Sequence, residues 1–542
     1  MNRLVFKKVK KHHIAVAFII LIAIILRLHL VFTQEFSFDE RFTYFHAMNN
    51  SFVGQFVNPQ DDRPPFYYSF VKLILPLSSS KEFLRLPSLI FSILSAVFIY
   101  KTFHFFSKKA ALYALIFYST HSLLIHVSWQ ARDYSLLLML ATATVYFLVK
   151  ILSDIYLNKI IAKIDIFVLL ITILLGVLTT YLFYPFISVI LFVFGLLLVF
   201  FRKKISLKNI SILKKSSILL LPVIAVAVYY LLDGFQRVVS FNQLHDTAYK
   251  DVVLQMFIEL FSMTGYWFLT KNIWLPLVIV FSMVIIILYT YLKIKKSDIK
   301  QILIPFFSLS SSLLVVGYSL FSEIFVNLWI PRGWVVLVIF STFIIAIGWS
   351  LLEEMLPRRF SKKILTVIYL LSIFGIGIFQ YGIRYELWSF RDYDEWVYPF
   401  PNEKTITGLV DIVTDHMDES TQIITFPDYE MVIFDYAWRG SNFGDSYQQV
   451  GLEIPLEFKS IIKNDSELSD FFTHRLQRLN KVIIVVNLYA GYEMFKHDDP
   501  YFLFQAKLFN FINTYCEKEW EEKGIFNAYD VWGCTMRSLN DD

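Results

Sequence analysis

Ser37-Phe38-Asp39-Glu40-Arg41 closely follows an apolar run, Ile14–Phe32, that is long enough to cross a bilayer. Two carboxylates therefore stand where an apolar helix emerges from lipid. Ionisable groups in membrane segments are costly and mark functional sites. No small residues suited to signal-peptide cleavage follow the run, so we expect an uncleaved first transmembrane helix. The cluster predicts chemistry at the rim of a membrane.

The composition supports an integral membrane protein. Of the 542 residues, 56% are hydrophobic and 18% are aromatic, which excludes an ordinary soluble protein. The formal net charge of +5 is no sign of a nucleic-acid partner, because the basic residues lie between apolar runs. That pattern is typical of membrane topology.

Further apolar runs predict about eleven transmembrane helices. The predicted spans are Ile14–Phe32, Leu86–Phe106, Leu112–Val127, Tyr134–Val149, Ile166–Phe183, Phe186–Phe201, Ser217–Leu232, Ile273–Leu292, Ile302–Phe325, Trp334–Leu352 and Ile364–Ile383. The stretch from residue 166 to 201 also permits one long helix, but both its flanks are basic, so Tyr184-Pro185 is predicted to turn the chain. Lysine and arginine concentrate in alternate gaps, which predicts a multi-pass protein of the cell (plasma) membrane with a cytoplasmic N-terminus.

The chain is therefore predicted to contain a membrane domain, residues 1–383, and an extracytoplasmic α/β domain, residues 384–542. Outer loops 34–82 and 233–271 are long enough to build a site. Amphipathic helices are predicted at Glu40–Met48, Phe66–Leu77 and Val252–Met263, strands at Gln422–Phe426, Lys481–Asn487 and near Phe526–Cys534, and helices around Tyr429–Trp438 and Tyr501–Tyr515. Cys516 and Cys534 are either a disulfide, if the first ends a helix and the second lies on a returning strand, or two buried thiols.

The predicted outer loops carry carboxylates, arginines and aromatic residues together. A carboxylate at a low-dielectric boundary suits a general base, and arginines suit a phosphate, whose oxygens they bind bidentately. The combination predicts group transfer from a lipid phosphate. The candidate catalytic residues are Asp39 and Glu40, and the candidate substrate-binding residues are Asp62, Arg63, Arg132, Asp133, Tyr134, Lys271 and Arg332.

Each of these residues also has a structural interpretation. Asp39 would serve as a helix N-cap, and Arg132 and Arg332 would anchor helix ends by reaching the lipid headgroups. Pro64-Pro65 would set a rigid turn. His46, His126 and His245 could bind a metal with Glu40, although isolated histidines beside aromatic residues are usually structural.

The order of the motifs resembles a known family. Phe38-Asp39-Glu40, then Arg63-Pro64-Pro65-Phe66-Tyr67-Tyr68, then Ala131-Arg132-Asp133-Tyr134-Ser135-Leu136 is similar to the GT-C fold glycosyltransferases. The relatives that it most resembles are the protein O-mannosyltransferase-like enzymes of glycosyltransferase family 39 and the bacterial lipid A aminoarabinose transferases. Thr179-Thr180-Tyr181, Arg332 and the external α/β tail extend the resemblance over essentially the whole chain.

The resemblance implies a sugar donor linked to polyprenyl phosphate and a lipid, glycan or protein acceptor. It implies that Asp39 is the catalytic carboxylate, with Glu40 beside it, and that Arg132 contacts the lipid-linked phosphate. Two departures argue against protein O-mannosylation: Arg63 replaces the usual His or Lys, and Leu137 lies where many such enzymes carry Asp. No cofactor is required by the sequence, and a divalent metal is compatible with it.

Two other functional classes compete with glycosyl transfer. Eleven helices would suit a secondary transporter or a lipid flippase, but those proteins place ionisable groups near the bilayer midplane in repeated halves. Here Arg27 and Glu323 lie near span ends and the acidic residues cluster in loops. An external receptor would leave the loop carboxylates unexplained. The sequence therefore favours an enzyme.

Overall fold

The structure, a computed structural model, describes residues 2–34, 36–49, 51–57, 64–242, 274–293, 298–325, 335–355, 362–369, 403–417, 421–426, 449–451, 481–487, 508–510, 513–514, 516–525 and 529–536. The chain divides into two compact units. The first comprises Met1–Gln34, Asn50–Val239 and Ala248–Phe390, and the second comprises Glu35–Asn49, Ser240–Thr247 and Arg391–Asp542. The domain boundary predicted between residues 383 and 384 stays a prediction.

The first unit is helical. The helices of the described residues, in chain order over both units, are α1 (Asn2–Thr33), α2 (Phe38–Asn49), α3 (Phe52–Val57), α4 (Phe66–Ile74), α5 (Lys81–His104), α6 (Lys108–Thr120), α7 (Ser122–Trp129), α8 (Tyr134–Tyr156), α9 (Lys163–Val177), α10 (Phe183–Phe200), α11 (Leu207–Asn242), α12 (Trp274–Lys293), α13 (Lys300–Phe325), α14 (Val338–Met355), α15 (Lys362–Tyr369) and α16 (Glu403–Asp415). Of these, α2 and α16 belong to the second unit. The predicted amphipathic helices at 40–48 and 66–77 correspond to α2 and α4, and the one at 252–263 lies outside the described residues.

Seven helical segments in the described part of the chain are long and apolar enough to cross a membrane. They are His12–Thr33, Lys81–His104, Tyr134–Tyr156, Phe183–Phe200, Leu207–Leu232, Lys300–Gly317 and Val335–Met355. The number rises to eight if the bent pair α6 and α7 forms one span. The chain is therefore a multi-pass protein, but the predicted count of eleven is not confirmed.

The predicted span Leu112–Val127 is broken. The helix axes of α6 and α7 differ in direction by 61°, and His121 between them has an extended backbone, with φ −65° and ψ 119°. Breaking a helix in lipid leaves the last carbonyls of its first half without intrahelical partners. The Arg27 guanidinium meets this need, because it donates to Ser119 O at 2.9 Å and to Tyr118 O at 3.4 Å.

Arg27 is fully buried within the α1 span. Besides the carbonyls of α6, it donates to Ser92 Oγ on α5 at 3.0 Å and to Ala23 O, one turn back on its own helix, at 3.2 Å. A cation at a helix C-terminus also interacts favourably with the helix dipole. Arg27 therefore joins α1, α5 and α6 and has a structural explanation.

The predicted spans between residues 166 and 201 form two helices, as the charge pattern indicates, but the turn lies elsewhere. Helix α9 ends at Val177 and α10 begins at Phe183, so the chain turns over residues 178–182. Tyr184-Pro185 lies in the first turn of α10, where a proline costs no hydrogen bond because those N–H groups have no intrahelical acceptor. Gly176 allows this close turn, since a Cβ there would lie 2.5 Å from the Phe183 ring.

The second unit contains a five-stranded mixed sheet. Its strands are β1 (Thr421–Phe426), β2 (Gln449–Gly451), β3 (Lys481–Asn487), β4 (Cys516–Ile525) and β5 (Tyr529–Met536), in the order β2-β1-β3-β5-β4. Strand β1 pairs in parallel with β2 and β3, whereas β5 runs antiparallel to both β3 and β4. The predicted strands at 422–426 and 481–487 are confirmed, and the closing strand spans Tyr529–Met536. The predicted helix at 429–438 lies outside the described residues.

The antiparallel hairpin of β4 and β5 has an aromatic cover. The Trp520 side chain lies against Gly533, where an added Cβ would approach Trp520 Nε1 to 1.8 Å. The Trp520 ring also stacks on the His416 ring, with 4.0 Å between centroids. Glycine at position 533 is therefore required by packing, an arrangement in which an aromatic ring covers a glycine in a neighbouring strand.

Candidate functional site

The first motif begins a helix, and Ser37 and Glu40 are hydrogen-bonded to each other at its N-terminus. The Ser37 N–H donates to Glu40 Oε2 at 2.9 Å, and the Ser37 hydroxyl donates to the same oxygen at 3.0 Å. Ser at the N-cap with Glu three residues later is the sequence of a capping box, and its glutamate half is formed here, because Glu40 accepts the N-cap amide. Glu40 is fully buried and has this structural role. Its predicted catalytic role stays a prediction.

Asp39 is the second residue of α2, so it is not the N-cap of that helix. Ser37 occupies the N-cap position that the structural interpretation assigned to Asp39. The Asp39 side chain lies outside the described residues. Arg41, two residues later, is buried, and its Nε donates to Phe36 O at 3.0 Å. This bond joins the two ends of the segment that contains Asp39.

The second motif is described from Pro64 onwards, whereas Asp61, Asp62 and Arg63 lie outside the described residues. Pro64 and Pro65 are buried, and Pro65 precedes the first residue of α4. The Phe66 N–H, which has no acceptor within the helix, donates to Leu178 O at 2.9 Å.

The bond from Phe66 joins the start of α4 to the end of α9. Leu178 directly precedes Thr179-Thr180-Tyr181, another stretch that carries the family resemblance. Within the same unit, the Ser69 hydroxyl donates to Gln55 Oε1 at 2.7 Å and so joins α4 to α3. The second motif is thus hydrogen-bonded within the first unit to the end of α9 and to α3.

The third motif forms the turn between α7 and α8. Arg132, Asp133 and Tyr134 are only 4%, 2% and 3% exposed. An arginine that anchors a helix end to lipid headgroups keeps its guanidinium exposed, so the burial of Arg132 argues against that interpretation. Asp133 occupies the N-cap position of α8, but its side chain makes no capping hydrogen bond.

The backbone of this turn is held by local hydrogen bonds. The Arg132 N–H donates to Gln130 O at 2.8 Å. The Ser135 hydroxyl donates to Val127 O at 2.8 Å, which ties the first turn of α8 back to α7. These bonds define the backbone of the turn that carries Arg132.

One face of α5 contacts both the second and the third motif, and the sequence-based prediction missed it. Ser88 Oγ lies 3.3 Å from Tyr67 Oη of the second motif and donates to Arg132 O of the third at 3.4 Å. Arg85, one turn earlier, contacts the end of α1 and the ring of Trp129. Both side chains are buried in a mainly apolar helix.

A sequence signal for this face exists. Arg85, Ser88 and Ser92 are spaced i, i+3 and i+7, which places them on one side of a helix. A polar stripe on an apolar helix predicts contacts with polar groups of neighbouring segments. The predicted span began at Leu86, and so it left Arg85 in the loop.

Two further predicted site residues, Lys271 and Arg332, lie outside the described residues. For the predicted metal ligands, Glu40 is part of the capping box, the His126 ring nitrogen lies 3.3 Å from Gln130 Nε2, and His245 is outside the described residues. Within the described ranges, no group of three or more His, Cys, Asp or Glu side chains is arranged to hold a metal ion.

Cys516 and Cys534 form a disulfide with a Cα–Cα distance of 5.5 Å. Both cysteines lie on strands: Cys516 is the first residue of β4, and not the end of a helix as the sequence suggested, and Cys534 lies on β5. The bond joins adjacent antiparallel strands diagonally, since Cys516 is opposite Met536 and Cys534 is opposite Lys518.

Comparison with solved structures identifies the fold. No protein family matches the sequence. No curated protein matches it by sequence either. The chain is similar in structure to ArnT from Cupriavidus metallidurans, with a TM-score of 0.54 and 11% identity for the apo state and 0.55 and 10% for ArnT bound to undecaprenyl phosphate. Each match covers 96% of this chain and 97% of ArnT.

A third similar structure is the Archaeoglobus fulgidus oligosaccharyltransferase in the apo form, with a TM-score of 0.49 and 14% identity over 87% of this chain and 69% of that one. The likeness to ArnT extends over almost the full length of both proteins, the sheet-containing unit included. The chain therefore has the fold of ArnT, the GT-C fold that its sequence motifs predict.

Proposed function

We propose that this protein is a membrane glycosyltransferase that moves a sugar from a polyprenyl-phosphate donor to an acceptor hydroxyl on the extracytoplasmic face. The observation that carries the proposal is the polar face of α5, on which Ser88 contacts both Tyr67 and Arg132. The Ser88 hydroxyl thus contacts the second and third motifs, which are more than sixty residues apart in sequence. The protein has the fold of ArnT, and one ArnT structure holds undecaprenyl phosphate.

The proposed reaction needs a base and a cationic phosphate site. Asp39 accepts the proton of the acceptor hydroxyl as its oxygen attacks the anomeric carbon, with inversion at that carbon. The bond between the anomeric carbon and the phosphate oxygen breaks, and polyprenyl phosphate leaves with the bonding electrons. Arg132 stabilises the departing phosphate by charge-assisted hydrogen bonds, with Arg63, Lys271 and Arg332 as further cations.

Burial of Arg132 supports this role, since an arginine in a low-dielectric environment interacts strongly with a phosphate. Asp62, Asp133 and Tyr134 are proposed to contact the donor or the acceptor. A divalent metal would add charge at the phosphate, and the described residues contain no preformed set of ligands for one. Membrane lipids surround the unit, and the donor's isoprenoid chain would lie between its helices.

The distribution of basic residues supports a cytoplasmic N-terminus and an extracytoplasmic sheet-containing unit. The disulfide in that unit supports the same orientation, because disulfides persist in oxidising compartments outside the cytosol. The alternative functional class is a secondary transporter or a lipid flippase. The buried Arg27 does not favour it, because that side chain stabilises a helix break.

The test is sugar transfer by purified protein in liposomes. Wild type, Asp39→Asn and a control variant, Asp415→Asn, are each offered a panel of polyprenyl-phosphate sugars and candidate acceptors, and donor consumption is followed by thin-layer chromatography. Asp415 is an exposed carboxylate at the end of α16, so its loss should leave turnover unchanged. We expect turnover by wild type and the control, and a loss of at least ~100-fold in Asp39→Asn. Near-normal turnover by folded Asp39→Asn would overturn the assignment of the base.

A further inference from the structure

We propose that Arg85 is a positioning residue that sets, through one guanidinium, the starting points of the two chain segments that lead to Asp39 and to Arg132. The inference rests on the proposed function for its catalytic consequence. Its structural part rests on contacts within the first unit alone. Neither Arg85 nor its partners belong to the motifs that carry the family resemblance.

The first contact of Arg85 is with the end of α1. Arg85 Nη1 donates to Val31 O at 3.1 Å and to Gln34 O at 2.5 Å. The last four carbonyls of a helix have no intrahelical donor, and a cation there also interacts favourably with the helix dipole. Five residues beyond Gln34 the chain reaches Asp39. Arg85 therefore holds the last residues of α1, after which the chain continues to the first motif.

The second contact is with the end of α7. The Arg85 guanidinium carbon lies 4.7 Å from the centroid of the Trp129 ring, within the range of a cation–π interaction. Trp129 is the last residue of α7, and Arg132 follows three residues later. The same side chain therefore contacts the segment that leads to the predicted phosphate-binding arginine.

Apolar packing alone would not fix these two ends in one orientation. Leu30 and Val31 of α1 form a buried cluster with Ile125 and Trp129 of α7. Hydrophobic contacts are non-directional, whereas hydrogen bonds to two carbonyls and an interaction with one ring face specify a direction. Arg85 is fully buried, so water does not compete for its donors. Lys81 also donates to Gln34 O, at 3.3 Å, but no contact of Lys81 with Trp129 is found among the described residues.

Arg27 supplies a matched control for Arg85. Both arginines are fully buried, and both donate to carbonyls at a helix C-terminus. Arg27 contacts Ser119, which is 13 residues before Arg132, and Ser92, which lies one turn beyond Ser88 on α5, but it makes no described contact with the residues that directly precede Asp39 or Arg132. A purely structural role predicts the same behaviour for both residues, and a positioning role predicts a difference.

The experiment compares wild type, Arg85→Gln, Arg85→Lys and Arg27→Gln in two measurements. The first is donor turnover, with kcat and KM for the donor determined at a temperature where all four proteins are folded. Misplacing a reacting group lowers the rate far more than it weakens ground-state binding. We expect Arg85→Gln to lower kcat by ~10- to 100-fold with less than a ~3-fold change in KM. Arg85→Lys should be intermediate, because lysine retains a cation but not a planar group over Trp129. Arg27→Gln should keep kcat.

The second measurement is hydrogen exchange by mass spectrometry, which needs no activity. In Arg85→Gln, exchange should rise both in the peptide over residues 30–41 and in that over residues 129–136. In Arg27→Gln the rise should instead be at the end of α6. Unchanged exchange at either peptide in Arg85→Gln, or equal losses of kcat in the two glutamine variants, would overturn the proposal. If wild type consumes no donor, the proposed function and the kinetic consequence both fail, and the exchange data still decide whether Arg85 couples the two ends.

Discussion

Separate substitutions of the adjacent carboxylates Asp39 and Glu40 should distinguish the proposed catalytic role of Asp39 from the structural role of Glu40. Glu40 Oε2 accepts two hydrogen bonds from Ser37, and its residue is fully buried. Hydrogen bonds to a charged group contribute about 1.5–3 kcal/mol each, and loss of an N-terminal cap costs about 0.5–2 kcal/mol. Because the two bonds share one oxygen, we expect Glu40→Ala to destabilise the first turn of α2 by about 1–3 kcal/mol.

That free energy corresponds to amide exchange about 5- to 150-fold faster in the first turn of α2, since 1.4 kcal/mol is a factor of ten. Glu40→Gln should behave differently, because glutamine also serves at the third helical position of a capping box. We expect its exchange over residues 36–42 to stay within about tenfold of wild type and its donor turnover within about threefold. Asp39→Asn should show the opposite pattern, with unchanged exchange and a turnover lower by about 10²- to 10⁴-fold.

The assay combines hydrogen exchange by mass spectrometry with donor consumption in liposomes, on the same protein preparations. A Glu40→Gln protein that loses turnover as severely as Asp39→Asn, with exchange over 36–42 unchanged, would refute the reasoning. It would show that the Glu40 carboxylate takes part in the chemistry and that the capping box is not its main role.

Three further changes test other parts of the structure. Gly533→Ala should destabilise the sheet-containing unit by about 1–3 kcal/mol, because the new Cβ would lie 1.8 Å from Trp520 Nε1. The additional substitution Trp520→Ala should restore part of that stability, and thermal unfolding of the single and double variants measures both effects. Because the two cysteines are bonded, iodoacetamide should not alkylate the native protein before reduction. Replacing Cys516 and Cys534 by serine should lower the stability by about 3 kcal/mol, since the cysteines are separated by 18 residues in sequence. Ser88→Ala should reduce kcat by up to about tenfold with the fold intact, because bonds of 3.3 and 3.4 Å contribute at most about 1.5 kcal/mol; a larger loss of kcat with unchanged stability would place the hydroxyl at the substrate.

Elements dominated by local patterns could be predicted from the sequence. Strands β1 and β3 are short runs of β-branched residues, and the structure has them at Thr421–Phe426 and Lys481–Asn487, within a residue of the prediction. The apolar runs also led to helices over most of the predicted spans. Strand β4 was missed because its sequence, Cys-Glu-Lys-Glu-Trp-Glu-Glu-Lys-Gly-Ile from residue 516, has charged residues that are rare in strands. It lies at the edge of the sheet, where such charges prevent pairing with another chain.

The features that tertiary contacts create could not be predicted in this way. The break at His121 lies in an apolar run without proline or glycine, and the arginine that stabilises it comes from α1, 92 residues away from its acceptor Ser119. The contacts of Ser88 with Tyr67 and Arg132 likewise depend on how α4, α5 and α8 pack. The spacing of Arg85, Ser88 and Ser92 marks one face of α5 in the sequence, but the segments that this face contacts are identified only by the structure.

The burial of Arg27 has a consequence for how the chain enters the bilayer. An arginine within an inserting helix is costly, by about 2.5–3.5 kcal/mol on the translocon scale at the helix centre and by less toward the helix end, where Arg27 lies. Its hydrogen-bond partners Ser92, Tyr118 and Ser119 follow 65 to 92 residues later in the chain, so they reach the membrane well after α1. We therefore expect the first helix to stay at the translocon or beside water-filled surfaces until α5 and α6 arrive. We expect these three helices to insert cooperatively, and a fragment that ends before α6 to be retained less firmly in the bilayer than its hydrophobicity alone would suggest.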